Sequence, residues 1–304
     1  MRFVKTGDRA LPVIAVGCMA LSQLDKKGCE QFIGKAYERG LNFYDHADIY
    51  GGGACESAFG DAVHALKIPR EKLILQTKCG IVSGKMYDFS KKHILEAVDG
   101  SLKRLRTDYV DSLLLHRPDA LMEPEEVAEA FDELERAGKV RMFGVSNMNP
   151  FQIELLKSAV GQRLFANQLQ FSPAHAGMIS CGFETNMETE GAVSRDGHIL
   201  DYLRLKEMVL QVWSPFRFGF FEGVFLGNEK FKKLNDVLEK IGQKYGIGKA
   251  AAVAAWILRH PVKAQVITGT VKTDHLLEIA AGADVVITRE EWYEIYRAAG
   301  HILP

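Results

Sequence analysis

Four side chains of complementary acid–base character stand out in the first half of the sequence: Asp45, Tyr50, Lys78 and His116. A free tyrosine has a pKa of about 10 and is a weak acid at neutral pH. A nearby ammonium favours the phenolate and lowers that pKa, and a carboxylate beside the ammonium keeps it charged. A histidine can hydrogen-bond a substrate oxygen and orient it. These side-chain types contain the parts needed to protonate a carbonyl that receives a hydride, although spacing alone does not show that they meet.

The candidate residues lie at the ends of short apolar segments that alternate with longer amphipathic ones. Segments that are apolar throughout are typical of parallel strands covered on both faces. We predict eight strands: Pro12–Val16, Asn42–Tyr44, Leu73–Lys78, Val110–Leu115, Val140–Val145, Phe165–Leu169, Val209–Trp213 and Ala264–Ile267.

Amphipathic periodicity predicts helices between these strands and after the last one. They are Gly28–Arg39, Glu56–Leu66, Lys91–Arg106, Pro124–Ala137, Pro150–Ser158, Asp201–Lys206, Glu229–Tyr245, Lys249–Arg259 and Thr273–Ala280. Gly40 and Gly138 stand where a helix C-terminus favours a positive φ. Asn149 is a predicted N-cap before Pro150, and a capping box from Thr288 to Glu291 opens a last helix that ends near Ala299.

Eight strand–helix units predict an α/β fold, a (β/α)8 TIM barrel formed as a single domain by residues 1–304. The main alternative is an open doubly wound sheet. Two segments lie outside the regular pattern. The start of the chain predicts a β-hairpin that turns at Gly7-Asp8, and Ser172–Leu200 is predicted to be a long irregular loop over the C-terminal mouth of the barrel.

Active sites of such barrels are built at the C-terminal ends of the strands. Strand alternation places Gln76 and Lys78 on one face, and a lysine in an inward-facing row needs a partner, for which Asp45 is available. The polar residues predicted at this rim are Asp45, Tyr50, Lys78, His116, Ser146, Asn147, Gln168, Trp213 and Gly269 to Lys272.

Five sequence motifs in this order resemble the landmarks of the aldo-keto reductases. They are Phe43-Tyr-Asp-His-Ala-Asp-Ile-Tyr-Gly51, Thr77-Lys78, Leu114-Leu-His116, Gly144-Val-Ser-Asn147 and Trp213-Ser-Pro215. The resemblance implies a catalytic tetrad of Asp45, Tyr50, Lys78 and His116. It also implies an NADPH/NADP-dependent reduction of an aldehyde or ketone, with Tyr50 as the general acid.

The same resemblance implies where the cofactor binds. Ser146, Asn147 and Gln168 match the residues that hold the nicotinamide carboxamide, and Trp213 matches the aromatic residue stacked on the nicotinamide ring. Lys272 would face the 2′-phosphate, which favours NADPH over NADH. The full set of implied cofactor residues is Gly17, Met19, Asp45, Ser146, Asn147, Gln168, Trp213, Ser214, Pro215, Phe216, Gly269, Thr270, Lys272, His275 and Glu278.

The sequence departs from the family pattern in two places. His275 stands where an arginine is common, and Ile279 stands where an asparagine is frequent, while Glu278 is retained. The segment Phe216–Gly219 is bulkier than usual after Trp-Ser-Pro. We expect Phe216, Phe218, Phe220 and Phe221 to form a substrate pocket wall, with an oligomer contact as the alternative.

The composition and charge of the chain argue against several other classes of function. A net charge of −1 gives no electrostatic reason for a nucleic-acid or anionic-membrane partner. No apolar run has the roughly 20 residues of a membrane helix, and the N-terminus lacks the apolar core of a signal peptide. The five cysteines have no zinc-type spacing and indicate reduced thiols in a cytoplasmic protein. We expect a small carbonyl substrate, and the oligomeric state stays open.

Two alternatives belong to other classes. A metal-dependent barrel hydrolase would use Asp45, His46, Asp48 and His116 as ligands, whereas otherwise we expect no metal. A non-enzymatic NADPH-binding regulatory subunit would keep the same barrel and bind a partner protein.

Overall fold

A computed structural model describes residues 2–219 and 222–303. The strands are β1 Phe3–Thr6, β2 Arg9–Pro12, β3 Ile14–Gly17, β4 Phe43–Asp45, β5 Ile74–Cys79, β6 Ile81–Val82, β7 Met86–Tyr87, β8 Ser112–Leu115, β9 Phe143–Ser146, β10 Leu164–Gln170, β11 Val209–Trp213 and β12 Ala264–Thr268.

Eight of these strands form a closed barrel in the order β10-β11-β12-β3-β4-β5-β8-β9. The prediction of a (β/α)8 TIM barrel is therefore confirmed, and each predicted strand corresponds to one barrel strand with ends that differ by a few residues. Parallel register brings Gly17 opposite Asp45 and Asp45 opposite Gln76. The C-terminal ends of β3, β4 and β5 consequently lie side by side.

The N-terminal hairpin is also confirmed. β1 pairs with β2 in antiparallel register from Phe3 opposite Pro12 to Thr6 opposite Arg9, with Gly7 at a φ of 54° in the turn. A second hairpin, β6 with β7, has no counterpart in the predictions. Its strands are only two residues long, too short to leave an alternating pattern.

The α-helices are α1 Lys26–Glu38, α2 Ala54–Ala65, α3 Lys91–Leu105, α4 Pro124–Arg136, α5 Pro150–Lys157, α6 Gly177–Phe183, α7 Ile199–Leu205, α8 Lys232–Tyr245, α9 Lys249–Arg259, α10 Thr273–Ala281 and α11 Arg289–Ala298. Gly40 and Gly138 have φ values of 76° and 70°, as predicted for helix ends. The predicted caps are present too: Asn149 and Thr288 each form a capping box.

The prediction of an irregular segment over Ser172–Leu200 is wrong in part. The segment contains α6 and a 3-10 turn at Glu190–Ala192 before α7 begins at Ile199. Helix α6 buries Ile179 and Cys181, and the Ser180 hydroxyl lies 2.8 Å from the Tyr296 hydroxyl of α11. Tertiary packing therefore stabilises a helix whose glycine-containing sequence is a weak helix former.

The chain consists of two compact units. One unit contains Ala15–Gln168 with the short loop Gly269–Thr273, and the other contains Leu169–Thr268 with the chain's two terminal segments. The single domain over residues 1–304 stays a prediction. Among the described residues, no helix has both the length and the apolar character needed to cross a bilayer.

A pair of tryptophans joins α9 to α11 in the second unit. The Trp256 indole N–H donates to the Trp292 carbonyl at 3.0 Å, and the Trp292 indole N–H donates to the Trp256 carbonyl at 3.2 Å. The two rings stack with centroids 5.0 Å apart and planes 8° from parallel. Both indole donors are thus satisfied inside an apolar contact.

Candidate active site

A buried ion pair forms the base of the site. Asp45 ends β4 and is 2% exposed, and Lys78 on β5 is 0% exposed. The Lys78 ammonium donates to Asp45 Oδ2 at 2.9 Å and to the His46 carbonyl at 2.7 Å. Burial lowers the pKa of Lys78, but Asp45 and Tyr50 outweigh it, so the net shift is upward and the amine stays charged.

The Tyr50 side chain contacts the Lys78 ammonium. Tyr50 begins a 3-10 turn, Tyr50–Gly53, after β4, and its hydroxyl oxygen accepts the third hydrogen bond of Lys78 at 3.1 Å. The expectation that Lys78 brings the Tyr50 pKa below its usual value is wrong for this arrangement. Burial is the largest influence and raises the pKa, and the lowering effect of Lys78 does not overcome it. Tyr50 therefore holds its proton at neutral pH.

His116 follows β8 and completes the cluster. Its ring lies edge-on to Tyr50, with centroids 5.9 Å apart and planes 80° apart. Burial, with the positive charges of Lys78 and Arg117, lowers the His116 pKa well below its ordinary value. His116 is consequently a neutral imidazole, and its Nδ1 has no hydrogen-bond partner within the described part of the chain. All four residues that were predicted to act together meet at one end of the strands.

Two glutamines hold the other oxygen of Asp45. Gln76 on β5 donates to Asp45 Oδ1 at 2.6 Å, and Gln168 on β10 donates to the same oxygen at 3.1 Å. Ser112 in turn donates to Gln76 Oε1 at 3.0 Å. The sequence predictions gave Gln76 no role in the site, although its place two residues before Lys78 on the inward-facing row was the available signal.

Ser146 and Asn147 lie together after β9. The Ser146 hydroxyl donates to the Gln168 carbonyl at 3.0 Å, and the Asn147 side chain donates to Ser146 Oγ at 2.7 Å and to the His116 carbonyl at 3.3 Å. Asn147 has a φ of 58°, a left-handed conformation that asparagine tolerates. This network links the ends of β8, β9 and β10 beside His116.

The loop after β3 contacts the same group of strands. The Cys18 amide donates to the Asp45 carbonyl at 2.9 Å, which fixes the chain between Gly17 and Met19. The Met19 side chain is 53% exposed. Whether Met19 contacts a cofactor stays a prediction.

Some of the residues predicted to surround the nicotinamide ring come at the end of β11 or just after it, in the compact unit that contains Leu169–Thr268. Trp213 ends the strand half-buried, and Ser214 has a φ of 49°. Phe216 accepts the Phe225 amide at 3.0 Å through its carbonyl. Phe218 packs on Phe231 with ring centroids 4.9 Å apart, and Phe220 and Phe221 lie outside the described residues. The proposed phenylalanine wall therefore stays a prediction.

The segment predicted to meet the adenosine phosphate follows β12. The Lys272 amide donates to Thr270 Oγ1 at 3.0 Å, and the Lys272 side chain is exposed. His275 on α10 is exposed as well. Glu278 has a structural contact, because its carboxylate accepts the Ala250 amide at the start of α9 at 3.2 Å. Whether these residues hold a cofactor stays a prediction.

Behind the tetrad lies a second polar cluster. Glu56 on α2 is 0% exposed and accepts hydrogen bonds from the Thr77 hydroxyl at 2.6 Å and from Arg104 Nε at 2.8 Å. Burial, followed by the charge of Glu56, raises the pKa of Asp48 to about 7. Burial also lowers the pKa of His46 to about 3, and its ring lies edge-on to Phe59 at 4.6 Å.

The described residues contain no group of three or more His, Cys, Asp or Glu side chains that could hold a metal ion. The ligand set required by the hydrolase alternative is therefore not assembled among them. His46 is buried, and neither of its ring nitrogens has a hydrogen-bond partner within residues 2–219 and 222–303. The Asp45 oxygens are occupied by Lys78, Gln76 and Gln168.

A closed (β/α)8 barrel with an Asp–Lys–Tyr–His cluster at its strand ends defines a class of barrel oxidoreductases. The model of the Aldo/keto reductase family matches residues 13–299. The chain belongs to that family.

Two curated bacterial proteins are similar over most of their length. A 6-dehydroglucose reductase from Agrobacterium fabrum is 35% identical over 271 residues, covering 86% of this chain and 84% of its own. The oxidoreductase YdhF from Escherichia coli is 34% identical over 282 residues, covering 90% and 88%. Among solved structures, an aldo-keto reductase from Klebsiella pneumoniae in complex with NADPH superposes with a TM-score of 0.77 at 24% identity, covering 97% of this chain and 94% of that one.

Proposed function

We propose that this protein is an NADPH-dependent reductase that converts an aldehyde or ketone to an alcohol, with Tyr50 as the general acid. The observation that carries the proposal is the Tyr50 hydroxyl held 3.1 Å from an ammonium that is itself paired with Asp45. The bacterial relative that reduces 6-dehydroglucose, by its name, supports a carbonyl substrate.

Tyr50, Lys78 and Asp45 have different roles in the proposed proton transfer. Tyr50 is protonated at neutral pH and can give its proton to the substrate oxygen as negative charge develops there. Lys78 stabilises the phenolate that remains, because its hydrogen bond to Tyr50 then joins two opposite charges. Asp45 keeps the lysine charged in a site where burial alone would favour the neutral amine.

His116 positions the substrate rather than protonating it. Its lowered pKa leaves a neutral imidazole, which can donate one hydrogen bond to the carbonyl oxygen. The edge-on packing of its ring against Tyr50, with centroids 5.9 Å apart, supports this role. A carbonyl oxygen between them would receive two hydrogen bonds.

The donor chemistry at the rim fits a nicotinamide cofactor. Ser146, Asn147 and Gln168 supply a hydroxyl and two amides, the groups that pair with a carboxamide. We propose these three for the carboxamide, Trp213 for the ring and Lys272 for the 2′-phosphate. When bound, NADPH supplies the hydride for the carbonyl carbon.

Activity assays with a Tyr50→Phe control test the proposal. NADPH absorbance is followed with a panel that contains 4-nitrobenzaldehyde, glyceraldehyde, methylglyoxal and 6-dehydroglucose. Removal of a general acid lowers turnover by about 10²- to 10⁴-fold. We expect that loss in Tyr50→Phe, together with unchanged NADPH binding, because the ring and its packing are kept.

Three other results would contradict the proposal. NADPH loss that is equal in the wild type and in Tyr50→Phe would remove Tyr50 from the chemistry. Tight NADPH binding without turnover on the whole panel, with a co-purifying protein, would favour the regulatory subunit. One tightly bound metal ion per chain would favour the hydrolase.

The state of the cysteines supports a proposal for the cellular location. The five cysteines are free and buried. Free thiols in this number suit a reducing compartment, and we infer a cytoplasmic enzyme.

A further inference from the structure

Three consecutive glycines, which we call the glycine turn, separate Tyr50 from helix α2. Gly51, Gly52 and Gly53 have φ values of 59°, 63° and 93°, so all three are in the left-handed region. Because glycine has the greatest conformational freedom of all residues, the turn by itself does little to hold the Tyr50 backbone in one place. The position of Tyr50 therefore depends on how the two ends of the glycine turn are held.

The first end is held on β5 by backbone hydrogen bonds. The Asp48 amide donates to the Lys78 carbonyl at 3.0 Å, and the Tyr50 amide donates to the Ala47 carbonyl at 3.1 Å. These bonds fix the chain just before the glycines against the strand that carries Lys78.

The second end is held by Arg104 of α3, whose side chain lies against Gly53. A Cβ atom at Gly53 would be 2.8 Å from Arg104 Cδ, closer than two such carbons approach, so the lack of a side chain there lets the arginine lie on the turn. Arg104 Nε donates to Glu56 Oε2 at 2.8 Å, and Arg104 Nη2 donates to the Ser101 hydroxyl at 3.2 Å. The guanidinium thus connects α3 to the first turn of α2, directly after the glycines.

Glu56 completes the connection back to β5. Its Oε1 accepts the Thr77 hydroxyl at 2.6 Å, and Thr77 directly precedes Lys78. Glu56 and Thr77 are 0% and 1% exposed, so water has little access to this bond. Hydrogen bonds to an ionised group are about twice as strong as neutral ones. Glu56 therefore ties the start of α2 to the residue next to Lys78.

We propose that Glu56 is a positioning residue for the general acid: with Arg104 and Thr77 it holds the glycine turn against β5 and so keeps the Tyr50 hydroxyl on the Lys78 ammonium. The inference rests on the proposed reductase function. Glu56 acts through the chain on both sides of the 3.1 Å contact between Tyr50 and Lys78, and needs no contact with substrate or cofactor. A displacement of about 1 Å in a reacting group can lower a rate by about 10²-fold.

Single-turnover rates of NADPH oxidation with 4-nitrobenzaldehyde test the proposal. Glu56→Leu removes both contacts of the carboxylate and should lower the rate by about 10- to 100-fold. Thr77→Val removes one hydrogen bond with little change of shape and should lower the rate by about 3- to 10-fold. Thr77→Ser keeps the hydroxyl and should restore the rate. The dissociation constant of NADPH should stay the same in all three variants.

The same substitutions in a Tyr50→Phe background separate positioning from general damage. Without the Tyr50 hydroxyl no general acid is left to position, so Glu56→Leu and Thr77→Val should change the residual rate by no more than about twofold. A loss by the same factor in both backgrounds would overturn the inference while the reductase function stands.

Asp111→Leu is the matched control. Asp111 precedes β8, at the opposite end of that strand from His116, and its buried carboxylate pairs with Arg70 Nη2 at 2.8 Å. The variant should lose stability in a urea titration, as Glu56→Leu does, but keep its single-turnover rate. A rate loss as large as that of Glu56→Leu would mean that any broken buried ion pair slows the reaction, and would overturn the inference.

If no aldehyde is reduced, the reductase function fails and magnetic resonance reads the position of Tyr50 directly. In protein made with tyrosine that carries a carbon isotope label at Cζ, the Tyr50 signal is the one missing from Tyr50→Phe. A shift or broadening of that signal in Glu56→Leu and Thr77→Val, but not in Asp111→Leu, supports the inference. A signal that changes in all three variants, or in none, rejects it.

Discussion

Gln76 Nε2 donates to Asp45 Oδ1 at 2.6 Å, so that the carboxylate shares its two oxygens between Gln76 and Lys78. The ion pair is therefore supported by residues of three neighbouring strands, β4, β5 and β8, with Ser112 bonded to the Gln76 amide oxygen. Tyr50 receives its hydrogen bond from an ammonium that has no freedom to turn elsewhere. A rigidly held donor such as Lys78 can stabilise the charge that develops on Tyr50 during proton transfer without first reorienting.

Replacement of Lys78 by methionine should remove both activity and stability. Asp45 would remain as a buried, unpaired carboxylate, and breaking a buried pair in this way costs about 3 to 5 kcal/mol. The free energy of unfolding, measured by urea titration, checks the loss. The double variant Asp45→Asn/Lys78→Met carries no such charge and should recover part of the stability without recovering turnover. A double variant as unstable as Lys78→Met would contradict the role of the charge.

Gln76→Leu tests the support of Asp45. The change removes a buried donor to the carboxylate and leaves the Ser112 hydroxyl unpaired, which destabilises by about 1 to 3 kcal/mol. We also expect kcat to fall severalfold with KM nearly constant, because Asp45, held at Oδ1 by Gln168 alone, fixes Lys78 less firmly. Gln211→Leu breaks a comparable buried contact in the other compact unit, the 2.9 Å hydrogen bond from Gln211 to Gln265. The Gln211→Leu variant should lose stability but keep its kcat. If kcat falls equally in Gln76→Leu and Gln211→Leu, the loss reflects general destabilisation and not the support of Asp45.

His46 should make the protein sensitive to acid. Its pKa is lowered to about 3 in the folded chain, against about 6.5 when unfolded. Between these values the unfolded state binds the extra proton, so stability is fully present above pH 6.5 and is lost as pH falls toward 3. The contribution is on the order of 5 kcal/mol. Unfolding of His46→Leu should depend less on pH between 6.5 and 4, and an unchanged pH dependence would exclude this source.

Lys272→Ala tests the assignment of the 2′-phosphate. Loss of a charge-assisted contact should raise KM for NADPH about tenfold or more. KM for NADH should not change, since NADH lacks that phosphate. Lys92, whose side chain is 82% exposed on α3, gives a control variant in Lys92→Ala. Parallel increases for both cofactors would mean that Lys272 acts on the loop rather than on the phosphate.

Strand order and the tetrad were accessible from the sequence because both depend on local patterns. Apolar runs located the barrel strands, and their ends located Asp45, Lys78 and His116. The charge state of Tyr50 was not accessible, since it depends on how burial compares with one ammonium. Helix α6 was not predicted for a related reason. Its stability depends on contacts between residues far apart in the sequence, such as Ser180 with Tyr296. The role of Gln76 follows from neighbours far away in the sequence, Asp45 and Ser112.

The reciprocal bonding of Trp256 and Trp292 has a spectroscopic consequence. The chain has three tryptophans, and the third, Trp213, ends β11. Two indoles stacked at 5.0 Å are expected to couple their electronic transitions, whereas Trp213 is not part of that stack. In a Trp213→Phe variant, Trp256 and Trp292 are the remaining tryptophans, so the tryptophan emission would follow the seating of α11 against α9. The emission of that variant is thus an optical reporter of the C-terminal packing.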